Sequence, residues 1–116
     1  MTEVIMREKA LLESLDNDTR LLEEVIGVFL VECPGKLKEL KAAVTARNPE
    51  RIMNASHSLR GAVSTFGAEA AVEAARKLES MGRQGKVEGA DDALAMLEHQ
   101  LVLVRSALEE IARNAL

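Results

Sequence analysis

Tryptophan and tyrosine are absent from this chain, and phenylalanine and proline occur twice each. With so few large rings, any core has to be aliphatic. The base-stacking platforms of single-strand nucleic-acid binders are missing as well. Cys33 is the one cysteine, which excludes an internal disulfide and a multi-cysteine metal site. The longest apolar run, around Val25 to Val31, falls far short of the roughly 20 residues of a membrane-spanning helix. Positive charge is not in excess either: 15 basic and 19 acidic residues give a net charge of -4. They are mixed along the chain, without the basic stripe of a nucleic-acid binder. Residues Met1 to Glu8 lack the basic start and apolar stretch of a secretory leader. These absences predict a soluble cytoplasmic protein with neither nucleic-acid nor membrane partners.

What remains is rich in helix formers. The chain has 116 residues and is 47% hydrophobic, enough for one core in one domain. Its Ala, Leu and Glu content favours helices over strands. No low-complexity tract, linker or internal repeat divides it, so residues 1–116 read as a single domain with a bundle core at about 18–113. A short first helix is expected over Glu3 to Leu15, and Asp16-Asn17-Asp18 supplies a turn and an N-cap. From Leu22 an apolar stripe runs through Ile26, Phe29, Cys33, Leu37, Leu40 and Val44 at helical spacing, in phase across Pro34. A bent helix or two nearly coaxial ones would both satisfy that phase. Cys33 lies on the stripe and reads as a small buried residue.

Asn48-Pro49-Glu50 is a helix start: an N-cap, a proline in the first turn and an acid at the positive end. That helix is expected to reach Phe66, with Gly67 ending it. The next runs from Ala68 to Gly82, with Arg83-Gln84-Gly85 as a turn. The last carries Val87, Ala90, Leu94, Leu97, Leu101, Val104, Leu108 and Ile111, the alternating spacing of a bundle seam. The expected fold is all-α, an up-and-down four-helix bundle with a short extra N-terminal helix.

A helical wheel separates the histidines. At about 100° per residue, Ile52, Ala55, Leu59, Ala62, Val63 and Phe66 gather opposite His57. Met53, Asn54, Arg60, Gly61 and Ser64 gather around it. His57 therefore points away from the core, whereas His99 reads as a solvated residue off the last seam. Arg60 and Gly61 are one turn beyond His57, and Arg60 offers a fork of donors suited to phosphate oxygens. Gly61 costs a helix about 1 kcal/mol relative to Ala. It reads either as room for a closely approaching partner or as a tolerated packing residue. A neutral imidazole is a nucleophile able to take a phosphoryl group. The chain has no phosphate-cradling glycine loop and no Asp cluster for Mg²⁺, so it reads as half of an active site. A metal site built from His57, His99 and Cys33 would need three residues aimed in different directions.

The segment His57-Ser58-Leu59-Arg60-Gly61 through Phe66-Gly67 resembles the His-x-Leu-Lys-Gly signature of histidine-containing phosphotransfer domains. Ala55 and Ser58 suit the family's common form, with Ser56 in place of an alanine. Phe29 to Pro34 is similar to the family's second helix, and Leu78-Glu79 to its Leu-Glu pair. The resemblance implies that His57 accepts a phosphoryl group on Nε2, while Arg60, where the family has lysine, steadies its charge. It implies that Gly61 leaves room for a docking receiver domain; Met53, Asn54 and Ser64, on the same face by the wheel, are the other expected docking residues. It further implies that Glu79 hydrogen-bonds the other ring nitrogen and fixes the tautomer; the residues alone leave Glu79 equally readable as a solvated acid. The partners implied are receiver domains of response regulators and hybrid histidine kinases. The resemblance implies that those partners bring Mg²⁺, so that the chain has no cofactor of its own and is a phosphoryl carrier and not an enzyme; the family's self-contained bundle implies a monomer. A non-catalytic helical adaptor is the alternative. A histidine-kinase dimerisation region is disfavoured, because Ser58 stands where an acid usually follows its histidine.

Overall fold

The computed structural model describes residues 18–115. The helix expected over Glu3 to Leu15 lies outside them. Among the described residues there are four helices and no strand: α1 (Thr19–Thr45), α2 (Pro49–Ser64), α3 (Glu69–Gln84) and α4 (Ala90–Ala115). Each packs on its neighbours in sequence, and α4 closes back on α1. Short connections make successive helices antiparallel, which is the expected up-and-down arrangement. The 22 × 20 Å cross-section is about two helix diameters each way.

Local signals set the ends. Asp18 caps α1, its carboxylate accepting from the Leu21 amide at 3.1 Å. Asn48 caps α2 in the same way, accepting from Arg51 at 3.1 Å, with Pro49 in the first turn. Pro34 lies inside α1, which continues through it as one 27-residue helix. The ring has no N–H for the Leu30 carbonyl, but the apolar face stays in phase and packing holds the helix together.

Three boundaries differ from the sequence expectation, each for a physical reason. α2 ends at Ser64 and not at Phe66, because the Phe66 and Gly67 amides close tighter turns onto the Val63 and Ser64 carbonyls, both at 3.1 Å. α3 does not stop at Gly82 but runs on to Gln84, and Gly85 takes the left-handed conformation (φ 72°) that terminates it. Gly82 is an interior packing residue. A Cβ placed there would lie 2.5 Å from the Pro49 carbonyl oxygen and 2.6 Å from the Met53 nitrogen. α4 begins at Ala90, so Val87 precedes it and packs, half-buried, against the core.

The core is the aliphatic one expected, with Ile26, Leu40, Ile52, Leu59, Leu78, Leu97 and Leu108 almost completely enclosed. Phe29 of α1 and Phe66 beyond α2 meet edge to face, with ring centroids 5.2 Å apart. Cys33 is buried as expected, and burial pushes its thiol above the ordinary range. Ser56 is enclosed too, and its hydroxyl donates to the Ile52 carbonyl at 2.5 Å. His99 is exposed. No helix among the described residues is long and apolar enough to cross a membrane.

The glycine at the α2–α3 contact has a measurable consequence. Alanine usually stabilises a helix interior, but at Gly82 its methyl would meet backbone that cannot swing aside. We expect Gly82→Ala to lower unfolding stability by about 1–3 kcal/mol in urea titrations. A neutral or stabilising effect would show that the two helices are free to separate.

Candidate functional site

His57 lies midway along α2 with its side chain 64% exposed, on the side the wheel placed it. Opposite it, Ile52, Leu59 and Val63 are buried, and Ala55 and Ala62 are half-buried against the core. The partner of His57 comes from α3. Glu79 Oε2 lies 2.9 Å from His57 Nδ1, and the Glu79 side chain is only 5% exposed.

A buried carboxylate is costly unless it is paired, and Glu79 is paired on several sides. Arg60 Nε donates to Oε1 at 2.6 Å, and Arg60 Nη2 reaches Oε2 at 3.4 Å. Arg83, one turn along α3, donates to Oε2 at 3.0 Å. The hydrogen bond from Arg60 outweighs the upward pull of burial. With the bond to His57 added, the Glu79 carboxyl is held down to about 2.

This ionised carboxylate decides the tautomer. An anion can only accept, so Nδ1 carries the proton and donates it to Oε2. Arg60 Nη2 stands 3.1 Å from the same nitrogen, but a protonated Nδ1 has no lone pair to offer it. Nε2 is then left unprotonated in neutral imidazole. It faces away from α3, because the two ring nitrogens point in opposed directions.

On its other flank α2 borders α1, and the two enclose an open groove of about 520 Å³. Val28, Phe29, Cys33, Lys36, His57 and Gly61 are among its lining residues. Its floor is apolar, and a Cβ at Gly61 would meet nothing within 4 Å. Across this groove the Lys36 ammonium donates to Ser58 Oγ at 2.6 Å.

The residues expected to surround His57 therefore divide. Gly61 shares the groove with it. Asn54 lines a smaller depression with Glu39, Arg51 and Ser58. Ser64 borders a third, towards α3, and its hydroxyl donates to the Arg60 carbonyl at 2.7 Å. Met53 is half-buried, with its backbone under Gly82. Arg60, expected at the phosphoryl oxygens, has Nε and Nη2 turned to Glu79 instead.

Sequence reasoning did not single out Arg83 or Lys36. Arg83 follows Glu79 by four residues, a helical ion-pair spacing that was there to be seen. Lys36 carries no comparable signal, because its partner lies on another helix.

No curated protein sequence matches the chain. Among solved structures it is similar to the crystal structure of histidine-containing phosphotransfer protein B (HptB) from Pseudomonas aeruginosa PAO1. That likeness has a TM-score of 0.87 at 19% identity and covers 95% of this chain and 96% of that one, which establishes a shared fold. The family model of the Hpt domain matches residues 24–114, a span that holds His57, Arg60, Gly61 and Glu79, and the chain belongs to the Hpt domain family.

Proposed function

We infer that this chain is a phosphorelay carrier in which His57 takes a phosphoryl group from one signalling protein and gives it to another. The observation that carries this reading is the state of the imidazole. Its Nδ1 lies 2.9 Å from the carboxylate of the buried Glu79, and the exposed ring lines an open groove. The role matches that of HptB, a histidine-containing phosphotransfer protein with the same fold, and the family to which the chain belongs.

The chemistry balances without a base. The Nε2 lone pair forms the N–P bond as the P–O bond to the donor's aspartyl carboxylate breaks, and that electron pair leaves on the carboxylate oxygen. No proton has to depart: the ring becomes an imidazolium that keeps its Nδ1–H against Glu79. Glu79 is the counter-charge for that cation, and Arg60 and Arg83 hold it in place. Arg60 is on this account a positioning residue that acts through Glu79. Positioning and charge compensation dominate phosphoryl transfer, and both are set before the donor arrives.

The proposal extends to partners and setting. Receiver domains of response regulators and hybrid histidine kinases bring Mg²⁺ and an acidic pocket to His57, and Gly61 and the apolar groove admit them. The carrier acts as a monomer in the cytoplasm, with the lone thiol buried in the core.

Four outcomes test this reading. Incubation with Mg²⁺-loaded, phosphorylated receiver domains should place acid-labile, alkali-stable label on the parent and none on His57→Gln. Receiver binding without label on the parent would instead make the protein an adaptor. Glu79→Ala should slow labelling by at least tenfold, more than Arg60→Ala. With the carboxylate gone, Arg60 can donate to Nδ1 and push the proton onto Nε2, the wrong nitrogen. Equal rates for Glu79→Ala and parent would remove the tautomer argument.

Gly61→Ala should stabilise the fold by about 0.5–1 kcal/mol, so slower transfer in that variant would report docking and not unfolding. The fourth outcome concerns acid. The Glu79 carboxyl titrates at about 2 in the fold against an ordinary 4.5. Its contribution to stability is therefore full above the ordinary value and is lost as pH falls towards the folded one. Urea titrations should show parent stability falling more steeply than that of Glu79→Gln between about pH 5 and 2. Parallel pH profiles would refute the pairing energetics.

A further inference from the structure

The cations near His57 are not equivalent. Arg60 and Arg83 both donate to Glu79, on the Nδ1 side of the ring. Their charge is balanced there by a carboxylate and by the contact that fixes the tautomer. Lys36 reaches the site from the opposite flank, out of α1, and lines the groove together with His57 and Gly61. Its hydrogen-bond partner is the neutral Ser58 hydroxyl, adjacent in sequence to His57. The ammonium is turned across the groove to α2, not along α1 towards Glu32, which lines the same groove one turn earlier.

An ammonium has three donors, and Ser58 takes one. Lys36 thus presents a half-buried positive charge with donors to spare, on the α1 side of the groove that it lines together with His57. The arrival of a phosphoryl group on Nε2 brings two negative charges to that side, and Glu79 on the far side cannot offset them.

Resting on the carrier reading of His57, we propose that Lys36 is a catalytic residue of the transfer: its ammonium hydrogen-bonds the phosphoryl oxygens as the group passes to and from Nε2. Ser58 Oγ parks the ammonium while His57 is unmodified. When the phosphoryl group arrives, Lys36 stays charged and exchanges or shares this neutral acceptor for an anionic one. Both bonds have the charged ammonium as donor, but only the phosphoryl oxygens add the attraction of an opposite charge, so the exchange favours the phosphorylated state.

The test uses phosphoramidate as a partner-free phosphodonor, beside a Mg²⁺-loaded phosphorylated receiver domain. With phosphoramidate the P–N bond of the donor breaks, and its electron pair leaves on ammonia as Nε2 bonds to phosphorus. Parent, Lys36→Met, Lys36→Arg, Ser58→Ala and His57→Gln proteins are compared. Lys36→Met should be labelled roughly tenfold more slowly with both donors, less than the loss for an enclosed oxyanion donor because the groove is open. Lys36→Arg should recover most of the rate, and Ser58→Ala should not be slower than parent. The ³¹P resonance of phosphorylated His57 should differ between Lys36→Met and parent, a shift that loss of a purely structural contact would not cause.

Lys36→Met labelled at the parent rate overturns the assignment while leaving the carrier reading intact. Slowing with the receiver alone makes Lys36 a docking contact and also overturns it. A parent that takes no label at His57 from either donor overturns the carrier reading and the role of Lys36 together.

Discussion

The site depends on how closely α3 approaches α2, and Gly82 sets that distance. Having no side chain, it lets the α3 backbone rest against Pro49 and Met53. The two helices run antiparallel, so one turn back along α3 corresponds to one turn forward along α2. Glu79 and His57 then fall opposite each other, within hydrogen-bond reach. A wider separation would leave Glu79 in a gap and His57 free to rotate.

Bringing a carboxylate that deep has an electrostatic cost, and the neighbouring arginines answer it. Arg60 comes from α2 and Arg83 from α3 itself, so both helices at the interface contribute to the same carboxylate. With every bond in place the carboxyl stays ionised, and an ionised acceptor permits one imidazole tautomer. The chemical state of an exposed residue is in this way biased by a buried one, through the carboxylate that accepts from it.

The two helices beside α2 do different work. α3 holds the ring by Nδ1. α1 forms the far wall of an apolar groove that ends at a lysine. The asymmetry follows from the connectivity of an up-and-down bundle, in which α2 has one neighbour on each flank and an exposed face between them. A histidine on that face is held at Nδ1 by α3 and borders, towards α1, an open groove.

Much of this was readable from local order in the chain. Apolar spacing placed the helices, Asn48 and Pro49 marked the start of α2, and the wheel turned His57 outward with Arg60 and Gly61 beside it. These are short-range properties, decided by backbone geometry and by which residues share a helical face. Gly82 misled for the same reason: seen locally a glycine suggests an end, and only the facing helix shows it to be a contact. Glu79 came through the resemblance to a family and not from any pattern in the residues, and Lys36 did not come at all. Their contacts with His57 and Ser58 each bridge 22 residues of chain. The sequence by itself determined the helices and the face on which His57 stands. Only the tertiary structure decided which charges meet it, because the spacing and register between helices are set by the fit of whole surfaces.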